Sequence, residues 1–549
     1  MDKKGRILIL DDLETWREQQ VEKLTHADFY VESVSTVAEV LERLQSSYYH
    51  LLIIDISMEE GNEDNKAGLE LLRVLDEHRL SDATTVIIHS AYGNQERMRQ
   101  AFRFHRVADF LSKDHFEQSF LQDVQQIFAE KVHINLDLKI YWQQISGAEQ
   151  AVLCLEFGNM HIEPDSPLQA TLADELHDLL CRLFYQASSL LIWPLTTGYS
   201  GTGVLRVQPF YATGGGGNEV VVKFGEVNKI EQEYANFKHY VQTFLGGGRN
   251  TTVIEKRRTP HLGGIIYSLL GTVNDQMADF GTFYRHTDVI HIRAAIDRLF
   301  HETCGAWYAN HTTLEPLDLS NDYQSLLTIP IKKLEQIVVE QLPAVKVKHV
   351  LTFSRLKIKR TFTNPFLALS GRSLVCSTYR CITHGDFNPR NLLVDSTGHV
   401  WMIDFQETRQ SHILRDVVLL DSAIRFQLLT TTEATLKERL LLEQALCSIE
   451  RFSQLPQLGA RLPVTNLALA KAYAIVIHLR LLARKLVEQN PSDDMREYYV
   501  ALLYQALNTL QFFSLSQEQR EHALLCASLL ADRLSLNNER YTPEHKAGD

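Results

Sequence analysis

Short apolar runs alternate with helical periodicity over the first 130 residues. The runs lie at 7–10, 29–34, 51–55, 85–89 and 108–111. Between them apolar residues return at helical spacing, as at Val37, Val40, Leu41 and Leu44. Uninterrupted apolar strands separated by amphipathic helices predict an α/β doubly wound parallel sheet. In such sheets ligands bind at the carboxyl ends of the strands, which is where chemistry is to be sought.

The pattern then changes. Residues 131–188 read as a connector, with a strand-like piece at 134–141 and a helix at 168–191. Strand runs follow at 192–194, 203–211, 220–224 and 265–270. The four glycines at 214–217 read as a hairpin turn. Ile230, Tyr234, Phe237, Val241 and Phe244 share a helical face. From about 287 the chain is mainly helical, apart from a strand-rich stretch near 345–405. The expected organisation is 1–130, a 131–188 connector, a strand-rich 189–272, a helical 273–535 and a flexible polar tail at 536–549.

Composition narrows the classes. Of the 549 residues, 45% are hydrophobic and 22% charged, which excludes a mostly disordered chain, a collagen and a small disulfide scaffold. The formal net charge of −13 argues against a protein that coats nucleic acid through its overall charge. The seven cysteines form no CxxC pair, so no zinc or redox motif is signalled and a reducing compartment is the default. Met1-Asp2-Lys3-Lys4 leads straight into the first strand, without the apolar stretch of a signal peptide. The most apolar helix, near 467–486, carries Lys471, His478, Arg480, Arg484 and Lys485 and reads as soluble. A cytoplasmic location is expected.

Polar residues close the predicted strands of the first region. The first strand ends in Asp11-Asp12, the third in Asp55, the fourth in His89-Ser90, and the fifth delivers Lys113. Carboxylates at one sheet edge repel unless a divalent cation sits among them, and magnesium prefers oxygen ligands. A carboxylate beside magnesium can attack a phosphoryl donor and become an acyl phosphate. This pattern resembles the receiver domain of two-component response regulators, a flavodoxin-like fold. The resemblance implies that Asp55 is the phosphoacceptor and that Asp11 and Asp12 hold magnesium with the backbone carbonyl of Ser57. It implies that Ser90 and Lys113 read the phosphate, that Phe110 is the aromatic switch residue, and that a histidine kinase or phosphotransfer protein is the partner. Asp114 stands where a proline usually follows the lysine, and the loop after Asp55 is acidic, with Glu59, Glu60, Glu63 and Asp64.

The strongest motif is Thr383-His384-Gly385-Asp386-Phe387-Asn388-Pro389-Arg390-Asn391, followed by Ile403-Asp404-Phe405. Phosphoryl transfer to a hydroxyl needs one carboxylate to orient the alcohol, and an amide oxygen and a carboxylate to hold magnesium. Asp386 suits the first role; Asn391 and Asp404 suit the second. Apolar runs at 392–394 and 401–403 can pair as a hairpin that brings Asn391 and Asp404 together. Upstream, Gly198, Ser200, Gly201 and Gly203 form a loop in which backbone N–H groups can approach phosphates. Lys223 follows on a strand, and Glu233 opens the next helix and could pair with it. This is the protein-kinase-like order of parts.

In detail the region resembles the aminoglycoside phosphotransferase and choline kinase branch, whose catalytic loop begins HGD. A narrower likeness is to ternary complex associated domain nine, through the Gly-Tyr-Ser-Gly loop and Ile403-Asp404-Phe405 continuing to His412, Leu414, Arg415 and Asp416. The resemblance implies an α+β bilobal kinase-like fold, with an ATP-binding lobe at 189–272 and a large helical lobe at 273–535 that holds the catalytic loop. It implies ATP and magnesium as cofactors. Arg390 replaces a common glycine, the Lys223–Glu233 spacing is short, and the phosphate loop lacks a strict GxGxxG. His384 is expected to support the loop by hydrogen bonding rather than act as a base.

Residues 341–385 hold no acid but carry Lys346, Lys348, Arg355, Lys357, Lys359, Arg360, Arg372 and Arg380. The 356–359 piece alternates like a strand with one charged face, a surface that would favour an anionic acceptor; few aromatics accompany it, so single-stranded nucleic acid is not indicated. The sequence reads as a response regulator whose output is an ATP-dependent phosphotransferase acting on a hydroxyl acceptor, governed by Asp55 phosphorylation through the connector or a homodimer interface. The alternative is a receiver-controlled pseudokinase scaffold, which would bind ATP, or nothing, without transfer. The absence of an APE-type segment ranks a serine/threonine protein kinase lower.

Overall fold

The computed structural model describes residues 5–56, 67–91, 106–158, 160–195, 201–245, 251–269, 277–457 and 465–534. The chain divides into two compact units, 1–234 with 251–274, and 235–250 with 275–549.

In the first unit, β1 (Arg6–Leu10), β2 (Tyr30–Val34), β3 (Leu51–Ile54), β4 (Thr85–Ser90) and β5 (Val107–Ser112) form a parallel sheet in the order β2-β1-β3-β4-β5. α1 (Glu14–His26), α2 (Val37–Ser46), α3 (Ala67–Glu77) and α4 (Phe120–Lys131) accompany it. The central strand β3 and Ile7–Leu10 of β1 are wholly apolar and buried because both sheet faces are covered there, whereas β2 at the edge exposes Tyr30 and Ser33. Alternate residues go to opposite cores: Leu8, Leu10, Leu52 and Ile54 pack with Val40, Leu44 and Leu71. Ile7, Ile9, Leu51 and Ile53 pack with Leu24, Val124 and Ile127. Thr36 and Glu39 close a capping box that starts α2.

The same unit contains a second sheet. It runs β10-β11-β9-β8-β7-β6, built from β6 (Lys139–Trp142), β7 (Ser189–Pro194), β8 (Gly203–Tyr211), β9 (Val220–Glu226), β10 (Thr251–Arg258) and β11 (Leu262–Leu269). Only the β6–β7 pair among these is parallel. The tetraglycine turn is a hairpin, with Gly214 at φ +91°. The helix expected at 168–191 is α5 (Pro167–Leu183), and the leucines at 190 and 191 belong to β7. A short apolar run does not reveal by periodicity which element it joins. α5 places Leu172, Leu176, Leu179 and Leu180 in one core with Val222, Phe224 and Ile266. The 131–188 segment therefore supplies β6 and α5 to this sheet and its core, more than a linker does. α6 (Val227–Asn236) follows β9.

The second unit is mainly helical, with helices that include Val289–Arg298, Arg415–Ser422, Leu436–Cys447, Leu467–Leu486, Arg496–Asn508 and Gln517–Arg533. Short strands lie at Ala278–Asp279, Leu392–Val394 and Val400–Met402, and Arg380–Thr383 pairs with Arg409–His412. Its core contains charge: Arg425 Nη1 lies 2.7 Å from Glu443, and His522 lies 2.9 Å from the same carboxylate. All three side chains are fully buried. Two corrections concern the basic stretch. Residues 356–359 are not a strand: Ser354–Leu356 is a 3-10 turn, and Lys357 has φ +52°. A left-handed residue cannot continue an extended strand. Arg355 is also engaged, 2.9 Å from Glu521. Among the described residues, no helix is long and apolar enough to cross a membrane.

Candidate functional site

The parallel sheet delivers its polar strand ends to one edge. Asp11, Asp12 and Asp55 offer carboxylate oxygens that all lie within 4.8 Å of one another. Lys113 Nζ stands 2.6 Å from both Asp11 Oδ2 and Asp55 Oδ2, and Asp11, Asp55 and Lys113 are buried. Burial raises the Asp11 carboxyl above its ordinary range, and the Lys113 ammonium opposes this. Arg17 clamps the loop by donating to the backbone carbonyls of Asp11 and Asp12, at 2.8 and 2.9 Å. Ser90 is fully buried at the end of β4, opposite Ser112 in register. Phe110 is half-buried and packs against the α2–α3 side of the sheet. Ser57 and the acidic loop residues Glu59, Glu60, Glu63 and Asp64 lie outside the described residues. Asp11, Asp12 and Asp55 are hard oxygen donors that could hold a divalent cation such as magnesium.

The sequence reading missed the support beneath this pocket. Gln20 Nε2 donates to Asp11 Oδ2 at 3.4 Å, and His89 Nδ1 donates to Gln20 Oε1 at 3.2 Å. The His89 ring packs against Phe116 and Phe120, and burial, with Lys113 nearby, pushes its pKa down to about 3. His89 is therefore neutral. The Trp16 ring lies 5.0 Å from Lys113 Nζ. The side chains come from separate elements, and no spacing rule connects them.

On the second sheet, Lys223 Nζ lies 2.6 Å from Glu233 Oε2, and both side chains are 1% exposed. Tyr267 donates its hydroxyl to the other Glu233 oxygen. Glu233 thus occupies a buried ion pair rather than a solvated helix face, and the short spacing does not prevent it. Val204 stands opposite Lys223 in the β8–β9 register, so the strand after the glycine loop runs beside the lysine. Gly201 has φ +65°, and Gly203 is covered by the Phe224 ring, 2.2 Å from where a Cβ would stand. Gly198 and Ser200 lie outside the described residues.

In the second unit the expected hairpin forms, with Leu392 opposite Met402 and Val394 opposite Val400. The Ile403 N–H donates to the Asn391 carbonyl at 3.0 Å, which sets Asn391 and Asp404 at the same hairpin end. Asn391 Nδ2 donates to Asp386 Oδ2 at 2.8 Å. Asp404 has φ +71°, a left-handed backbone that costs a non-glycine residue roughly 1–2 kcal/mol. His384 Nδ1 accepts from the Asp386 N–H at 3.3 Å, so its proton is on Nε2, which donates to the Ile403 carbonyl at 3.1 Å. With both nitrogens engaged and the ring fully buried, His384 supports the loop and is no base. Asp416 is a residue whose role the sequence did not assign. Its two oxygens accept from the His384 and Gly385 N–H groups, each at 2.9 Å, and Tyr308 donates to it at 3.0 Å. Gly385 has φ +83°, and a Cβ there would stand 2.4 Å from the Glu407 carbonyl.

The two units thus carry a cluster of carboxylates around Lys113 on a flavodoxin-like sheet, a buried lysine–glutamate pair and an Asp-Asn-Asp loop. The response regulator receiver family model matches residues 7–125, and that of ternary complex associated domain 9 matches residues 188–342 and 332–511. The protein carries an N-terminal receiver domain, and the chain belongs to the ternary complex associated domain 9 family. Response regulator RR06 of Streptococcus pneumoniae serotype 2 is 30% identical over 114 residues, which are 21% of this chain and 46% of RR06. The chain spans under half the length of that curated relative. Among solved structures, a CheY-like receiver domain protein from Methanospirillum hungatei is 21% identical, with TM-score 0.21, covering 23% of this chain and 96% of that one. CheY4 of Vibrio cholerae is 18% identical, with TM-score 0.21, covering 23% and 99%. A receiver domain implies a phosphodonor partner such as a histidine kinase.

Proposed function

We propose that the ternary complex associated domain is protein-kinase-like and transfers a phosphoryl group from ATP to a hydroxyl acceptor, under control of Asp55 phosphorylation. The observation that carries this reading is the loop geometry: one hairpin end holds Asn391 and Asp404, and Asn391 binds the Asp386 carboxylate. Asp386 orients the acceptor alcohol and takes its proton. Asn391 and Asp404 present oxygens for magnesium, which when bound neutralises phosphate charge. Lys223, held by Glu233, contacts the nucleotide phosphates. Backbone strain at Asp404 supports the assignment, because such residues collect where function over-determines the structure.

In the receiver, Asp55 attacks the phosphodonor, Asp11 and Asp12 hold magnesium, and Lys113 meets the phosphoryl oxygens. The exposed lysines of the 346–359 stretch favour an acceptor with negative charge. The test is an asymmetry between variants. Asp386→Ala keeps ATP–magnesium binding and loses transfer, whereas Lys223→Ala weakens binding itself. Loss of nucleotide binding in a folded Asp386→Ala protein would refute the roles.

A further inference from the structure

The first unit holds a polar cavity away from Asp55 and Lys113. Its volume is about 230 Å³, and its lining includes His50, Asp82, Arg106, Lys131, Arg182 and Arg257. His50 and Arg106 precede β3 and β5, so this lining lies at the amino ends of the strands. Asp55 and Lys113 follow the carboxyl ends, a strand length or roughly 15 Å away.

Charge in this cavity is one-sided. Four cationic side chains face it against one carboxylate, Asp82, which is paired with Arg106. Arg182 is held by Asp178, 2.6 Å from its Nε, and donates from Nη1 to the Ala83 carbonyl. Its Nη2 is buried and has no hydrogen-bond partner among the described residues. A buried donor without an acceptor costs about 1–3 kcal/mol, more when charged. His50 does not help: its Nδ1 accepts from the Arg6 N–H at 2.9 Å, so its Nε2 proton is given to Asp178 at 2.7 Å and the ring is neutral. Lys131 is exposed, and Arg257 lies 3.5 Å from Glu255. The cavity therefore offers N–H donors and more positive charge than its one lining carboxylate offsets. Its volume is below the range of about 300–1,000 Å³ that holds drug-sized ligands, and suits one or two phosphoryl groups.

We propose that this cavity binds a small diphosphate-bearing anion, whose oxygens meet Arg182 Nη2 and the charges of Lys131 and Arg257. The lining comes from the receiver sheet, the 131–134 segment, α5 and β10. A bound anion would tie the receiver to the second sheet through side chains of all four, and would stabilise the folded chain by mass action.

Calorimetric titration of the full chain with pyrophosphate tests the site. One-to-one binding is expected, unchanged in Lys223→Ala and weakened about tenfold or more in Lys131→Gln/Arg257→Gln, since a hydrogen bond to a charged group is worth that much. Neither substituted side chain is buried, and acetyl phosphate labelling of Asp55 checks that the variant is folded. Lys139→Gln, an exposed lysine on β6, controls for loss of charge alone and should leave affinity unchanged. ADP, titrated into the Lys223→Ala protein, separates the two sources. If Lys131→Gln/Arg257→Gln in the Lys223→Ala background loses both ligands, the site reads the shared diphosphate; if the Lys223→Ala protein binds only pyrophosphate, the ligand is inorganic. Absence of binding, equal weakening by Lys139→Gln, full affinity in the double variant, or loss in Lys223→Ala would overturn the proposal.

Discussion

Removing the Lys223 ammonium should leave the most costly orphan in the second sheet. In Lys223→Met the Glu233 carboxylate stays 1% exposed, and the Tyr267 hydroxyl still donates to it. Truncating one partner of a buried ion pair costs about 3–5 kcal/mol. Protonation of Glu233 sets a ceiling on that cost. Neutralising an ordinary glutamate at pH 7 costs about 1.36 kcal/mol for each of the roughly 2.7 units above its reference value, or about 4 kcal/mol. The expected destabilisation is therefore about 3–4 kcal/mol at pH 7. The variant's folded state then holds a proton that the unfolded chain lacks, so its deficit shrinks as pH falls, to about 2 kcal/mol at pH 5.5. Adding Glu233→Gln removes the stranded charge and should return stability to within about 1 kcal/mol of the parent, because apolar or neutral replacements of buried pairs are close to neutral. Urea midpoints for the four proteins at both pH values, compared at a common slope, provide the assay. A cost that does not change with pH, or a double variant as unstable as the sum of its singles, would refute the reasoning. If it holds, the fold does not require this pair for stability.

Acetyl phosphate with magnesium should label the chain at Asp55, and Asp55→Ala should abolish the label; equal labelling of the variant by mass spectrometry would move the phosphoacceptor elsewhere. Asp416→Asn should cost about 1–3 kcal/mol, because an amide cannot accept from both the His384 and Gly385 N–H groups, and transfer should fall more than nucleotide binding does. Acid should destabilise the second unit in two stages. Burial first, with Arg439 and Arg425 nearby, lowers His522 to about 4, whereas Arg425 and His522 outweigh burial and hold Glu443 at about 2. Both pKa values are depressed, so their stabilisation is complete above the unfolded values and is lost as pH falls. His522 acts between roughly pH 6.5 and 4, and Glu443 below about 4.5. Urea midpoints that fail to drop from pH 7 to pH 4, or a drop unaltered in His522→Gln, would contradict this.

The receiver sheet was legible because its central strands are apolar on both faces and its strands end in chemically distinctive residues. Asp11, Asp55 and Lys113 could be placed at one edge from strand ends alone, and the structure joins them at 2.6 Å. The hairpin that sets Asn391 beside Asp404 was legible for the same reason, since two apolar runs flank a short polar turn. Other features were hidden. α5 stops at Leu183 although apolar residues continue, because the next run pairs with β8, a fact about distant chain. Lys357 breaks an alternating pattern through backbone conformation, which side-chain periodicity does not encode. Asp416, Gln20 and His89 act through tertiary contacts with residues far away in sequence, so nothing local marks them.

The central claim is that Asp386 directs phosphoryl transfer. Purified full chain with magnesium and γ-labelled ATP, offered a cell extract fractionated into small molecules and macromolecules, tests it directly. The account predicts label in one acceptor fraction with the parent protein, and none with an Asp386→Ala protein that still binds ATP. ATP binding by the parent without label in any fraction, or equal label with Asp386→Ala, would contradict it.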